Sequence, residues 1–353
     1  MTADTVGGVW TYTVDLCKAL QPYGVTVYLM TMGALISKQQ NQELKDVSNI
    51  VLYESNYKLE WMQDAKEDVQ RAREWIRAVY NEVQPDILHF NNFGQIAGAW
   101  ACPVVTVYHS CVQTWWQAVK GERPPQEWDW YTDTLREAIN ASDVIVAPSA
   151  GILNQAEMVF GKFASSVVIY NGRDVEPTNF KNKEPFILTA GRIWDEGKNI
   201  YSLCNIANKL PWPVNVAGNN KHPDTGEEPK LENVQFLGQL SSPKMLACMA
   251  KASVFVMPAK YEPFGLAVLE AAKAACALAL GDIPTLREIW GDAALYFNPF
   301  DGNAANDVIM QLIDNPVMRQ EMALKAQQRA KEFTAKKMAA KYFDLYTTLI
   351  KTN

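Results

Sequence analysis

The sequence predicts an α/β protein with two doubly wound, parallel-sheet domains. Its 353 residues exceed the ~100 to 200 residues of a usual single domain, so two cores are expected. Short apolar runs alternate with helical segments through both halves, the order that places helices over a parallel sheet. Hydrophobic residues make up 48% of the chain, which is enough to fill both cores.

The first half contains five apolar runs that we predict to be strands. They are residues 25–30, 86–90, 104–108, 144–147 and 167–170. One helix is predicted from Gly8 to about Leu20, and another over residues 64–81. The second helix has an apolar stripe at helical spacing, formed by Val69, Ala72, Ile76 and Val79.

The second half continues the alternation. The predicted strands are residues 186–190, 214–217, 234–237 and 253–257, and the predicted helices are residues 200–209 and 266–280. The second helix contains neither proline nor glycine and is rich in Ala and Leu. The polar residues 173–185 form the predicted linker. The resulting domains are residues 1–172 and 186–335.

Two carboxylates lie eight residues apart where a buried strand joins a helix. Glu262 follows the strand, and Glu270 lies about one turn inside the helix. A helix start presents backbone N–H groups and a positive dipole end, which favour phosphate or sugar oxygens, and Gly265 allows close approach. One carboxylate could bind a sugar and the other a ribose. Alternatively, Glu270 is an ordinary solvated residue and Glu262 a loop charge.

Two cations follow the strand at residues 186–190. Arg192 and Lys198 leave its carboxyl end, the edge where open α/β sheets bind ligands. A guanidinium can bind phosphate oxygens in bidentate fashion and an ammonium acts as a point charge, so the two cations suit a diphosphate. The alternative is that both simply pair with Asp195 and Glu196 on the surface.

The first domain offers two weaker features. Gly7 and Gly8 open a helix whose N-terminus could face a phosphate, although adjacent glycines more commonly form only a tight turn. His109 ends the strand at residues 104–108, and a lone histidine there is usually structural.

Composition excludes several classes of protein. A net charge of -6 and a pI near 5.3 argue against a nucleic-acid partner. Six scattered cysteines without a Cys-x-x-Cys, and only three histidines, predict neither a disulfide framework nor a zinc site. A reduced, cytoplasmic setting is expected. The longest apolar stretch falls short of the ~20 residues of a membrane span, and no signal peptide pattern opens the sequence.

The Glu-x7-Glu pattern of Glu262 and Glu270 occurs together with a Gly191-Arg192 loop followed by Lys198. These residues resemble those of retaining glycosyltransferases of the GT-B fold, family 4. Two further segments match, residues 236–238 and 281–288, and the resemblance covers nearly the whole chain. It implies two Rossmann-like domains that face a central cleft and bind a nucleotide diphosphate sugar.

The resemblance also implies roles for single residues of the second domain. Glu270 would bind ribose hydroxyls, and Glu262 would contact the donor hexose. Arg192 and Lys198 would hold and neutralise the diphosphate. Backbone contacts to sugar and phosphate would come from Phe264, Gly265 and Leu266.

For the first domain, the resemblance implies that Gly7 and Gly8 face the pyrophosphate and that His109 hydrogen-bonds the hexose near the reacting centre. Relatives begin with a strand ahead of residues 2–8, so the first strand is expected to be missing or truncated. The last helix, residues 336–353, is expected to pack back on the first domain. The residues spaced for that docking are Tyr342, Leu345, Tyr346 and Ile350.

Two segments suggest an acceptor or a membrane. Trp115 and Trp116 lie in a tryptophan-rich segment that could stack on a carbohydrate or lipid-linked acceptor, or could pack two helices together. Residues 319–341 carry seven basic and two acidic side chains and could contact the inner face of an anionic membrane, although a solvated helix is favoured.

We therefore expect a retaining hexosyltransferase of polysaccharide or lipid-linked oligosaccharide assembly that uses a UDP- or GDP-hexose. No cofactor is expected, and no metal, because the sequence has no Asp-x-Asp pair. Arg192, Lys198 and helix N-termini would stabilise the leaving diphosphate. The alternatives are a non-hydrolysing sugar-nucleotide 2-epimerase and a non-catalytic nucleotide-sugar-binding protein. A nicotinamide enzyme is disfavoured, since no Gly-x-Gly-x-x-Gly follows a predicted strand.

Overall fold

The computed structural model describes residues 1–96, 98–175, 182–222, 225–228 and 230–352. The chain separates into two compact units. Unit 1 contains Met1–Gly172 and Ala335–Asn353, and unit 2 contains Arg173–Thr334. Strands and helices alternate in both units, and the paired strands are parallel. The predicted α/β fold with two parallel-sheet domains is confirmed.

The described residues of unit 1 form seven strands. They are β1 (Thr2–Asp4), β2 (Val27–Met32), β3 (Ile50–Glu54), β4 (Leu88–Phe90), β5 (Val104–Val107), β6 (Val144–Ala147) and β7 (Ser166–Val168). One sheet has the order β3-β2-β1 and the other the order β4-β5-β6-β7. Asn91 connects them, since its backbone N–H donates to Thr2 Oγ1 (2.9 Å) and its side-chain amide donates to the Thr2 carbonyl (2.8 Å).

That the first strand is missing or truncated stays a prediction. Thr2–Asp4 itself forms β1, which pairs with β2 from Thr2 opposite Met30 to Asp4 opposite Met32. All three residues are buried. The segment that the resemblance placed after a strand therefore forms a short strand beside β2.

Six helices connect the strands of unit 1. They are α1 (Gly8–Leu20), α2 (Lys38–Leu44), α3 (Lys66–Val83), α4 (Val112–Lys120), α5 (Asp129–Asn140) and α6 (Ala150–Phe160). The four residues of the predicted stripe on α3 are all buried. The apolar face of that helix was therefore predicted correctly.

The described residues of unit 2 form one six-stranded sheet. Its strands are β8 (Glu184–Ala190), β9 (Val214–Ala217), β10 (Gln235–Gly238), β11 (Ala252–Met257), β12 (Ala277–Gly281) and β13 (Leu295–Phe297). The order is β10-β9-β8-β11-β12-β13. This is the Rossmann order, in which the chain changes direction of winding between β8 and β11, and ligands bind beside the carboxyl ends of strands at such a point.

Six helices are described in unit 2, and a seventh follows them in unit 1. They are α7 (Tyr201–Cys204), α8 (Ser242–Lys251), α9 (Leu266–Lys273), α10 (Pro284–Trp290), α11 (Ala304–Asp314), α12 (Pro316–Ala330) and, in unit 1, α13 (Ala335–Thr352). On α13, Tyr342 and Tyr346 are buried, and the Tyr342 ring lies 6.2 Å from that of Tyr12 on α1. None of the described helices combines the length and apolar character needed to cross a membrane.

The helix predicted over residues 266–280 is wrong in its second half. Helix α9 ends at Lys273, Ala275 has a left-handed φ of 56°, and the chain then enters β12. Every residue of β12 is buried between β11 and β13. Pairing on both edges of a central strand outweighs the high intrinsic helix propensity of Ala and Leu, because tertiary context routinely overrides propensity.

Two smaller expectations also need correction. The helix predicted over residues 200–209 is interrupted, because α7 ends at Cys204 and only a 3₁₀ turn, Ala207–Lys209, follows. The predicted linker, residues 173–185, overlaps the first strand of unit 2, since β8 already begins at Glu184. Residues 176–181 of that linker lie outside the described residues.

Candidate functional site

Arg192 leaves the carboxyl end of β8 in a short turn that Asp195 organises. Its Nη2 lies 2.8 Å from Asp195 Oδ2, while Asp195 Oδ1 accepts the backbone N–H of Gly197 at 2.9 Å. Asp195 is buried, whereas the Arg192 side chain is 39% exposed. The pairing with Asp195 that the sequence left open as an alternative is therefore present, and the guanidinium still reaches the surface.

Lys198 and Glu262 form an ion pair, with Nζ 2.6 Å from Oε2. Their side chains are only 14% and 11% exposed. The two loops are also held together by backbone, because the Gly197 carbonyl accepts N–H groups from Lys260 (2.8 Å) and Tyr261 (3.1 Å). These loops follow β8 and β11, so the two predicted residues meet where the winding of the sheet reverses.

The start of α9 adjoins this pair. Gly265 is the N-cap, with φ +90°, a conformation that residues with a side chain rarely adopt. Glycine has no side chain to cap a helix, so first-turn N–H groups remain for another partner. Phe264 is buried with its ring 5.6 Å from that of Phe333, and Leu266 is half-buried.

Glu270 has a different partner from Glu262. Its Oε1 lies 3.0 Å from Arg173 Nε, and both side chains are 14% exposed. Burial raises the pKa of Glu270, and the charge of Arg173 opposes that rise. Arg173 also donates from Nη2 to Ser242 Oγ at 3.0 Å. The two glutamates of the sequence pattern thus occupy separate electrostatic environments.

In unit 1, His109 follows β5 and is half-buried. Its Nε2 lies 2.8 Å from Asn91 Oδ1, and its ring meets Tyr12 edge-on with centroids 4.7 Å apart. Burial lowers the pKa of both His109 and His89 to about 3, so both are neutral near pH 7. Gly7, with φ +77°, caps α1, and Gly7 and Gly8 are exposed at its start.

Three residues of these sites were missed from the sequence: Asn91, Arg173 and Glu60. Glu60 is 4% exposed, and its carboxylate accepts the backbone N–H groups of Phe93 (3.0 Å) and Gly94. It thereby holds the loop after β4. One signal was available, because Asn91 and Asn92 directly follow a predicted strand, where polar side chains often serve a site.

The tryptophan-rich segment lies on α4 and α5. Trp115 and Trp116 are half-buried on α4 with centroids 6.0 Å apart, and Trp128 and Trp130 both pack edge-on against Tyr131. The acceptor role of Trp115 and Trp116 stays a prediction. Within the described ranges, no group of three or more His, Cys, Asp or Glu side chains is placed to hold a metal ion.

Two family models match consecutive parts of the chain. The first, Glycosyltransferase Family 4, matches residues 6–177, and the second, Glycosyl transferases group 1, matches residues 172–332. This chain belongs to glycosyltransferase family 4. The boundary between the two matches coincides with the boundary between unit 1 and unit 2.

Several curated proteins are similar to this family 4 chain. Glycogen synthase of Mycobacterium tuberculosis is 28% identical over 225 residues, which cover 57% of this chain and 54% of that protein. O-antigen chain mannosyltransferase RfbU of Salmonella typhimurium is 29% identical over 162 residues, covering 42% of this chain and 44% of that protein. The chain thus spans about half the length of the curated relatives it matches.

Solved structures agree on the fold of the family 4 chain. Sucrose-phosphate synthase from Thermosynechococcus elongatus aligns with a TM-score of 0.81 at 17% identity, covering 99% of this chain and 95% of that one. Anabaena Alr3699/HepE in complex with UDP and glucose aligns with a TM-score of 0.72 at 16% identity, covering 97% and 96%. The fold is that of the GT-B glycosyltransferases.

Proposed function

We propose that this protein is a retaining glycosyltransferase that moves a hexose from a UDP- or GDP-hexose to a carbohydrate or lipid-linked acceptor without a metal ion. The observation that carries the proposal is the Lys198–Glu262 pair beside Arg192, at the carboxyl ends of β8 and β11. Membership of family 4 supports the reaction class, and the UDP complex of a protein with the same fold supports the donor class.

Each charged residue has a task in this proposal. Arg192 binds the diphosphate through its exposed guanidinium, which Asp195 keeps in place. Lys198 adds a second positive charge, and the start of α9 at Gly265 and Leu266 supplies backbone N–H groups. Glu270 binds the ribose hydroxyls. Together these groups stabilise negative charge as it develops on the leaving nucleotide.

Glu262 binds hydroxyl groups of the donor hexose. It already contacts Lys198, so the hexose and the diphosphate are recognised by adjacent groups. In unit 1 we assign to His109 a hydrogen bond with the hexose, and to Gly7 and Gly8 a contact with the diphosphate. For retention we propose front-side attack, in which a leaving phosphate oxygen accepts the acceptor's proton. No side chain is therefore assigned as the base.

The cellular compartment is inferred from the cysteines. All six are free, and four of them are buried, which suits a reducing compartment. We therefore place the reaction in the cytoplasm. Contact with the inner face of a membrane would bring the enzyme to a lipid-linked acceptor. Of the basic residues at 319–341, Arg319 is already bonded to the carbonyls of Leu312 and Ile313, and Lys325 is paired with Asp292.

The experiment has two stages. A thermal-shift panel of UDP-, GDP- and ADP-sugars identifies the donor, because a ligand that binds only the folded state raises its stability. Transfer is then measured for Arg192→Ala and Glu262→Ala, with Lys251→Ala as the control because Lys251 is exposed and has no assigned role in binding. We expect the first two to lose activity at least about a hundredfold and the control to retain it. Unimpaired transfer by both site variants would refute the proposal.

Product analysis separates the two alternatives. A sugar-nucleotide 2-epimerase would convert the donor in the absence of any acceptor. A non-catalytic binding protein would shift in the thermal panel and never release free nucleotide. Addition of a chelator tests metal independence, and we expect transfer to continue at an unchanged rate.

A further inference from the structure

Asn91 is the central residue of a buried hydrogen-bond network in unit 1. Its Nδ2 donates to the Thr2 carbonyl at 2.8 Å, a contact that only the amide nitrogen can make. Its Oδ1 therefore faces the two histidines, 2.8 Å from His109 Nε2 and 3.2 Å from His89 Nε2. Rotating the amide by half a turn would place two oxygens together at Thr2, so the orientation is determined.

That orientation determines where the proton of His109 lies. An amide oxygen only accepts hydrogen bonds, so a nitrogen 2.8 Å from it must carry a hydrogen. His109 is neutral near pH 7, since burial lowers its pKa to about 3. One ring nitrogen is then protonated, and the hydrogen bond made by that nitrogen selects the tautomer. Nδ1 of His109 keeps its lone pair and has no hydrogen-bond partner among the residues that the structure describes.

We propose that Asn91 is a positioning residue that holds His109 as the Nε2–H tautomer, so that Nδ1 is presented to the substrate as a hydrogen-bond acceptor. This inference rests on the proposed function, because it specifies how His109 recognises the hexose. A sugar hydroxyl can donate to Nδ1.

The network also includes the last helix of the chain. His89 Nδ1 lies 2.5 Å from the hydroxyl of Tyr346 on α13, while its Nε2 faces Asn91. A Tyr346 hydroxyl that donates to Nδ1 leaves His89 Nε2–H to donate to Asn91 Oδ1. The same oxygen then accepts from both histidines. Tyr346→Phe removes the contact of His89 and leaves that of His109, which makes it a matched control.

The test is nitrogen NMR of the full chain labelled in histidine, of which there are three. We expect His109 to be the Nε2–H form in the native protein and in Tyr346→Phe. Asn91→Asp keeps an acceptor oxygen and should keep this form, whereas Asn91→Leu should yield a mixture of tautomers. A native His109 protonated at Nδ1, or an unchanged Nε2–H form in Asn91→Leu, would overturn the proposal. The proposal would also fail if Tyr346→Phe lost the Nε2–H form of His109 as fully as Asn91→Leu does.

Kinetics supply a second readout. Asn91→Leu should lower kcat/KM about tenfold, the size expected from one hydrogen bond, and Asn91→Asp should recover part of it. Should Asn91→Leu fail to fold, the native spectrum and Asn91→Asp still decide the question. If NMR gives the expected tautomers but no sugar nucleotide supports transfer, the proposed function is refuted and the tautomer assignment stands. The two outcomes are distinguishable because the NMR result does not depend on turnover.

Discussion

Arg173 Nε lies 3.0 Å from Glu270 Oε1. This contact joins the first residue of unit 2 to the glutamate that we propose binds the ribose. Lys273, one turn further along α9, donates to the Arg173 carbonyl, and the Arg173 N–H donates to Phe333 O at 3.3 Å. Residue 173 is thus anchored to α9 and to the end of unit 2. Glu270, which we propose binds the ribose, is thus positioned by a residue that the sequence pattern does not contain.

Removing the guanidinium of Arg173 should make nucleotide binding dependent on pH. Arg173→Met removes the charge that opposes the raised pKa of Glu270, so this pKa rises further. We expect weaker binding at neutral pH that recovers as the pH rises and Glu270 ionises. The measurement is calorimetric titration with the preferred nucleotide across pH. Ser242→Ala, which removes the contact of Arg173 Nη2 and leaves the guanidinium beside Glu270, is the control, and a pH-independent loss would contradict the prediction.

The Lys198–Glu262 pair should show strong coupling. Lys198→Met or Glu262→Gln alone leaves a largely buried charge without its partner and should cost about 1–3 kcal/mol of unfolding free energy. The double variant removes both charges and should lie within about 1 kcal/mol of the native protein. Urea unfolding of the native protein, the two single variants and the double variant measures the coupling free energy. Transfer should be lost in all three variants, and simple additivity of stabilities would show that the pair is not coupled.

Gly218 should not tolerate alanine. A Cβ there would lie 1.8 Å from the Gly191 carbonyl oxygen, and φ is +141°, so we expect a loss of at least about 3 kcal/mol or failure to fold. At Gly238, with φ +67° and open space, alanine should cost about 1 kcal/mol from backbone strain alone. Gly302→Ala is the neutral control. Equal stabilities for the three variants would contradict this ranking.

Glu60 should make stability dependent on pH. Burial raises its pKa to about 7, above the ordinary value, so the folded protein binds this proton more tightly than the unfolded chain. Its contribution is complete below about pH 4.5 and is lost as the pH rises through about 7. The stability advantage of the native protein over Glu60→Gln should therefore shrink from about pH 5 to about pH 8. An advantage that grows over this range would show that the pKa is not raised.

Much of the site could be predicted because it lies at strand ends. A buried strand is recognised from neighbouring residues, and parallel strands present their carboxyl ends at one edge, so Arg192 and Glu262 could be assigned to a shared site. The same local reasoning failed at residues 277–281. Their Ala and Leu side chains satisfy a helix or a buried strand equally well, and pairing with β11 and β13 decides between them.

The sequence by itself determined the fold class, the family and the loops that carry charge, because apolar periodicity and residue spacing are encoded in short stretches of chain. Only the tertiary structure decided which polar side chains meet. Arg173 contacts Glu270, which lies almost a hundred residues later in the chain. Asn91 contacts His109 because each follows the end of one of two neighbouring strands, β4 and β5. Such contacts depend on the order of strands in the sheets and on the angles at which their loops leave, and these are set by packing of the whole unit.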